Sequence, residues 1–169
     1  IPSHVETVQQ VWKAAGSPVV VLDPGHGGID GGAEASDGTC EKDINLNIAL
    51  DLKQRLNEEG IRVVMTRSKN ESLAADDGRA SIRTLKSADM RERKRIIDEA
   101  AADLTVSIHL NSFTQDPSVR GAQVFYPSAG DDEITSKSKL AAEIMQAALN
   151  EKVNSEKKRT ELGKNDVYL

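Results

Sequence analysis

A short, uninterrupted apolar segment most constrains the fold of this chain. Residues 19–22, Val-Val-Val-Leu, are apolar and mostly β-branched, and the Asp-Pro-Gly sequence at 23–25 ends the run. This pattern predicts a strand that is buried on both faces. Such strands are typical of parallel sheets covered by helices on both sides, rather than of antiparallel sheets with one solvated face.

Segments of helical and extended pattern alternate along the rest of the chain. Helices are predicted at about 42–59, 88–101 and 135–153, and further strands at 61–66, 104–108, 121–126 and 167–169. The polar stretch 68–88 is predicted to be a loop or an insertion. This alternation predicts an α/β fold with a mostly parallel central sheet flanked by helices on both faces.

The length of 169 residues suits one domain with a core of its own. We expect that domain to cover residues 19–169. Residues 1–18 are expected to form an N-terminal segment, either a short amphipathic helix or a linker. Because the last apolar residues, 167–169, have the pattern of a strand that has just begun, we expect the fold to be truncated, with one or more C-terminal strands beyond Leu169.

Composition excludes several classes of function. The chain has 22 basic and 27 acidic residues, a net charge of -5 and 3% aromatic residues, which argues against nucleic-acid binding. No stretch has the roughly 18 apolar residues of a membrane span. The one cysteine, Cys40, excludes an internal disulfide and a cysteine-rich zinc site.

Two histidines and one glutamate are candidates for a metal site. His26 and His109 each follow an apolar strand, and functional sites of open α/β sheets lie at the carboxyl ends of the strands. Glu41 opens the first long helix after the glycine-rich loop. Two imidazoles and one carboxylate are a common ligand set for catalytic zinc. The alternatives are that the histidines are structural and that Glu41 only interacts favourably with the helix dipole.

Four sequence blocks carry a resemblance to a known family. They are VLDPGHGG at 21–28, EKD at 41–43, TR at 66–67 and SIHLNS at 107–112. In order and spacing they resemble the zinc-dependent N-acetylmuramoyl-L-alanine amidases, the amidase type 3 family, over most of residues 19–169. The segment 71–95 is similar to the germination-specific amidases of spore formers.

The resemblance implies a function and a cofactor. It implies the zinc amidase fold, with one zinc ion per chain held by His26, Glu41 and His109. The implied reaction is hydrolysis of the amide between N-acetylmuramic acid and L-alanine in peptidoglycan. The implied setting is outside the cytoplasm, in spore cortex modification through the muramic-δ-lactam pathway. Peptidoglycan is the implied partner, and an accessory regulatory protein is a second candidate.

One part of the family pattern has no counterpart in this chain. The general base of the family is a glutamate within a Val-Glu-x-Gly-Phe-type segment on a later strand, and no glutamate after residue 150 lies in such a context. We therefore expect the catalytic base beyond Leu169. The alternative is a catalytically impaired module that binds peptidoglycan or a partner protein on the amidase fold.

Three polar residues are candidates for supporting roles. Asn111, two residues after His109, is expected to bind substrate or to orient a ligand. Asp23 is a candidate for the same role toward His26, although turn formation explains it equally well. Arg67 is expected to contact a carboxylate or to form a surface salt bridge. The basic residues Arg91, Arg93, Lys94 and Arg95 are expected to form a solvated helix face.

Overall fold

A computed structural model describes residues 16–75, 78, 80–111, 115–116 and 118–165. The chain forms two compact units, residues 1–112 and 113–169. Among the described residues, no helix combines the length and apolar character that crossing a membrane requires. Most of the predicted N-terminal segment 1–18 and the predicted strand 167–169 lie outside the described residues.

The first unit contains a three-stranded parallel sheet. Its strands are β1 (Val19–Pro24), β2 (Arg62–Met65) and β3 (Leu104–Ile108), in the spatial order β2-β1-β3. All six residues of the central strand β1 are buried, as the continuous apolar run predicts. The carboxyl ends of β1 and β3 meet at one edge, where Pro24 pairs with Ile108.

Two helices cover this sheet. Helix α1 (Glu41–Glu58) connects β1 to β2, and helix α2 (Ile82–Ala100) connects β2 to β3 across the central strand. Connections between parallel strands are right-handed. The connection through α1 moves along the sheet in one direction, from β1 to β2, and the connection through α2 moves back in the other, from β2 to β3. The two helices therefore lie on opposite faces of the sheet. The α/β prediction with helices on both faces is therefore confirmed for this unit.

The start of α2 differs from the prediction. Residues 82–87 were predicted to be part of a polar loop, but the helix already begins at Ile82. Ser81 caps it, because its hydroxyl oxygen accepts a hydrogen bond of 3.2 Å from the backbone nitrogen of Thr84. Leu85 is the one buried residue in this first part of the helix, so the apolar pattern there is too sparse to predict it.

The second unit contains strand β4 (Phe125–Pro127), helix α3 (Asp132–Lys152) and strand β5 (Leu162–Lys164). The two strands pair in parallel, so this unit is also α/β. Strand β4 begins four residues later than predicted, and the backbone nitrogens of Ala122 and Val124 before it donate to the side-chain amides of Asn154 and Gln146. Strand β5 was not predicted, because all three of its residues are exposed and the segment lacks an apolar run.

Candidate metal centre

The loop after β1 holds His26 in an unusual backbone conformation. His26 has φ 63°, in the left-handed region that residues other than glycine rarely adopt. The loop is tied to the end of β3, because the backbone nitrogen of Gly25 donates to the carbonyl of Ile108 at 2.9 Å. Strained backbone of this kind often occurs at functional sites, where the surrounding structure maintains it.

Three predicted ligands come together at this edge of the sheet. The side-chain ligand atoms of His26, Glu41 and His109 all lie within 4.8 Å of one another. Oε1 of Glu41 lies 3.3 Å from Nε2 of His26 and 3.2 Å from Nδ1 of His109. Ligand atoms of a tetrahedral zinc site, with bonds of about 2.0–2.1 Å, lie about 3.3 Å apart. The donor types and the two distances from Glu41 thus fit a zinc ion.

The carboxylate of Glu41 is fixed by backbone hydrogen bonds. Oε2 accepts from the nitrogen of Ala33 at 3.0 Å, and Oε1 accepts from the nitrogen of Leu110 at 2.8 Å. Burial raises the pKa of Glu41, but these bonds and one from Asn45 outweigh burial and lower the pKa overall. Glu41 is therefore ionised at neutral pH, which is the form that binds a metal ion.

His26 is oriented by a second carboxylate. Its Nδ1 atom lies 3.0 Å from Oδ2 of Asp30, whose Oδ1 lies 2.8 Å from Nζ of Lys86 on α2. Burial raises the pKa of Asp30, but the interactions with Lys86 and His26 outweigh it and lower the pKa to about 2. An ionised carboxylate only accepts hydrogen bonds, so a ring proton on Nδ1 of His26 would be donated to Asp30 and would leave the lone pair of Nε2 free for a metal ion.

Two glycines leave room for the imidazole rings. A Cβ atom at Gly25 would lie 2.2 Å from Cε1 of His109. A Cβ atom at Gly32, which has φ 69°, would lie 2.6 Å from Cδ2 of His26. A side chain at either position would displace a ring, so the glycine-rich loop is part of the site rather than only a turn.

Asp23 and Arg93 form a buried ion pair beneath the site. Oδ1 of Asp23 accepts from Nη1 of Arg93 at 2.6 Å, and the two residues are 1% and 2% exposed. Asp23 does not hold the ring of His26, because its other hydrogen bonds come from the hydroxyls of Thr66 and Ser107. Nη2 of Arg93 instead donates to the carbonyl of His26 at 2.6 Å.

The prediction of a solvated basic face on α2 is wrong for Arg93. This residue is buried, and its Nε atom donates to Oδ2 of Asp89 one helical turn earlier. The other three members of the cluster, Arg91, Lys94 and Arg95, are exposed as expected. A buried arginine with two carboxylate partners cannot be distinguished from its exposed neighbours by charge pattern alone.

Arg67 is buried rather than at the surface, and carbonyl oxygens are its hydrogen-bond partners rather than a carboxylate. It is 2% exposed and donates to the carbonyls of Pro24, Gly25, Lys42 and Lys69. These bonds join the loop after β1 to the start of α1. Asn111 is exposed, directly beyond Leu110, and its predicted role in substrate or ligand contact stays a prediction.

Two supporting residues were not identified from the sequence. They are Asp30 and Asn45, whose Nδ2 atom lies 3.3 Å from both Oε1 of Glu41 and the carbonyl of Gly25. Asn45 is fully buried, and its Oδ1 atom has no hydrogen-bond partner among the residues that the structure describes. Its spacing of four residues from Glu41 was the available signal, because such residues are neighbours on one helix face.

Comparison with known proteins agrees with this geometry. A family model described as N-acetylmuramoyl-L-alanine amidase matches residues 20–169. The germination-specific N-acetylmuramoyl-L-alanine amidase of Bacillus subtilis is 40% identical over 121 residues, which are 68% of this chain and 49% of that protein. The amidase AmiA of Escherichia coli is 39% identical over 113 residues, 67% of this chain and 34% of that protein.

A solved structure shows the same fold. The CwlD amidase of Clostridioides difficile, determined in complex with the GerS lipoprotein, superposes with a TM-score of 0.82 at 36% identity. The match covers 90% of this chain and 75% of that one. The α/β fold with helices on both faces of a parallel sheet is thus the fold of a known class of cell-wall hydrolases.

The chain belongs to the amidase type 3 family of N-acetylmuramoyl-L-alanine amidases. The family resemblance predicted from the four sequence blocks is therefore confirmed. The chain spans about half of the length of the B. subtilis relative and about a third of the E. coli relative.

Proposed function

We propose that this protein is a zinc-dependent amidase that hydrolyses the bond between N-acetylmuramic acid and L-alanine in peptidoglycan. The observation that carries the proposal is the convergence of His26, Glu41 and His109 within 4.8 Å at the carboxyl edge of the sheet. Membership of the amidase family supports the substrate class.

In this proposal the three residues hold one zinc ion. When bound, zinc supplies Lewis acidity, which polarises a carbonyl and favours deprotonation of water. Glu41, held by backbone nitrogens, contributes a single negative charge, so the centre keeps a net positive charge of +1. Nε2 of His26 is directed at the centre by Asp30, and His109, whose side chain is 42% exposed, lies at the open side.

One side of the centre is open to a substrate. Glu41 is only 6% exposed and forms the inner wall, whereas the imidazole of His109 faces outward. Asn111 follows on the same outer side and is our candidate for hydrogen bonding to substrate amides. We assign no general base within residues 1–169, because the resemblance expects that glutamate beyond Leu169.

Spore cortex modification is the biological role that we propose. It is supported by the 40% identity to an amidase named germination-specific and by the similarity to CwlD. The role requires action outside the cytoplasm, where peptidoglycan lies. Because CwlD was solved in complex with a lipoprotein, we propose an accessory protein partner for this chain as well.

Metal content tests the ligand assignment directly. We expect about one zinc ion per chain after purification without chelators, measured by elemental analysis. His109→Ala should abolish zinc retention, whereas His4→Ala, a matched control outside the four motif blocks, should retain it. Equal zinc content in the two variants would refute the ligand role of His109.

Product analysis tests the reaction. Full-length protein incubated with muropeptides should release intact stem peptides that begin with a free L-alanine amine. New reducing sugar ends would indicate a glycosidase instead. Binding of muropeptides without any cleavage by the zinc-loaded full-length protein would favour a binding module and overturn the amidase proposal.

A further inference from the structure

A carboxylate behind His26 joins the loop of the metal centre to helix α2. Oδ2 of Asp30 lies 3.0 Å from Nδ1 of His26, on the side of the ring away from Glu41. Oδ1 of Asp30 lies 2.8 Å from Nζ of Lys86. Asp30 and Lys86 are 56 positions apart in sequence and belong to different elements, so the pair is a tertiary contact.

The backbone also holds Asp30 in place. Its nitrogen and carbonyl exchange hydrogen bonds of 3.0 and 2.9 Å with Gly27, and its Oδ1 atom accepts from the nitrogen of Gly32 at 3.3 Å. The backbone of Asp30 is thus fixed by Gly27, and its carboxylate has three partners in His26, Lys86 and the nitrogen of Gly32. Its carboxylate is therefore preorganised to accept the proton of one particular imidazole nitrogen.

We propose that Asp30 is a positioning residue of the metal centre, which fixes the tautomer and ring direction of His26, and that Lys86 anchors Asp30. The inference rests on the ligand role of His26 under the proposed function. Metal-binding histidines commonly donate their second ring N–H to a carboxylate, which makes the ligand nitrogen more basic. Asp30 provides this interaction and is not a member of the candidate ligand group.

The anchoring role of Lys86 follows from its position on α2. Lys86 and Arg93 lie seven residues, or two helical turns, apart and therefore face the same way. Lys86 contacts the carboxylate of Asp30, and Arg93 contacts the carbonyl of His26. The face of α2 that carries Lys86 and Arg93 thus supports the loop after β1. Lys86 contacts a side chain of that loop, and Arg93 contacts its backbone.

Zinc affinity provides the first measurement, by competition with a fluorescent chelator and independently of activity. Asp30→Ala should weaken zinc binding by about 10- to 100-fold, the usual effect of losing such a partner. Asp30→Asn keeps the shape of the side chain and should weaken zinc binding by a smaller factor. Lys86→Met, which removes a half-exposed ion pair, should weaken it about two- to five-fold. Asp37→Asn is the matched control, because Asp37 is an exposed aspartate of the same loop.

A double variant separates anchoring from general damage to the fold. If Lys86 acts through Asp30, Lys86→Met should have no further effect on zinc affinity in the Asp30→Asn background. Additive losses in the double variant would overturn the anchoring role. Nitrogen chemical shifts of the His26 ring, measured by NMR in the zinc-loaded protein, should show Nδ1 protonated in the wild type, with a proton that exchanges faster in Asp30→Ala.

The outcomes distinguish this inference from the proposed function. A wild-type chain that binds no zinc would overturn both. Wild-type zinc binding with equal affinity in Asp30→Ala and Asp37→Asn would overturn the positioning role and leave the ligand assignment standing. Selective weakening in the Asp30 variants, together with faster exchange of the His26 proton, is the result we expect.

Discussion

The carbonyl oxygen of His26 accepts a hydrogen bond of 2.6 Å from Nη2 of Arg93, 67 residues further along the chain. The same guanidinium pairs with the carboxylates of Asp23 and Asp89. Burial lowers the pKa of Arg93, but the two carboxylates outweigh burial and raise it, so the group stays charged. One buried cation therefore joins β1, helix α2 and a candidate ligand in its left-handed conformation.

Replacing Arg93 should destabilise the fold more than replacing any exposed arginine of the same helix. Arg93→Met leaves the carboxylate of Asp23 buried without its cation, which typically costs about 3–5 kcal/mol. The free energy of unfolding in urea measures this loss. Arg91→Met, at an exposed position of α2, should change the free energy by less than about 0.5 kcal/mol. Similar values for the two variants would contradict the structural role of the buried network.

Asn45 should matter for both stability and metal affinity. Asn45→Ala removes the amide that lies between Oε1 of Glu41 and the carbonyl of Gly25, and a lost buried hydrogen bond of this kind costs about 1–3 kcal/mol. Zinc affinity should fall as well, because Glu41 loses one of the groups that orient it. Urea unfolding and chelator competition measure the two effects. Asn47→Ala, at an exposed position two residues later, should leave both unchanged, and equal losses would argue against this role of Asn45.

The sequence predicts the fold best where apolar residues are continuous. The run at 19–22 predicts the buried central strand β1, because only burial on both faces explains four consecutive apolar residues. Strand β5 has three exposed residues and no such signal. The start of α2 was missed for a related reason, since Leu85 is the one buried residue in its first two turns.

The candidate site was predictable as a set of ligand types, but not as a network. His26 and His109 follow strands and Glu41 opens a helix, so topology brings them to one edge. Arg93 reaches the same edge only through the length of its side chain and the packing of α2. Its burial depends on the partners Asp23 and Asp89, and no local pattern in the sequence indicates such long-range pairing.

A methyl group at Gly25 should disrupt the centre directly. The Cβ of Gly25→Ala would lie 2.2 Å from the imidazole of His109, so the ring must leave its present position. We expect at least a tenfold loss of zinc affinity in chelator competition, since a displaced ligand loses most of its bond to the metal. Gly31→Ala is the matched control in the same loop, because its Cβ would meet Sγ of Cys40 at an ordinary 3.5 Å. Unchanged affinity in Gly25→Ala would show that His109 is not held where the structure places it.

The second unit offers a test that is independent of any metal. Gln146 is 2% exposed, its Oε1 atom accepts from the nitrogen of Val124 at 2.8 Å, and its Nε2 atom donates to the carbonyl of Ala122 at 3.2 Å. This side-chain amide, rather than a neighbouring strand, binds the nitrogen of Val124 and the carbonyl of Ala122 just before β4. Gln146→Leu keeps a similar volume but leaves the Val124 N–H without an acceptor, at a cost of about 1–3 kcal/mol.

Hydrogen exchange at the Val124 amide should accelerate correspondingly, whereas Glu143→Gln, at an exposed position of α3, should leave that exchange rate unchanged. If the Val124 amide exchanges as slowly in Gln146→Leu as in the wild type, another group protects it. The late start of β4 then needs a different cause.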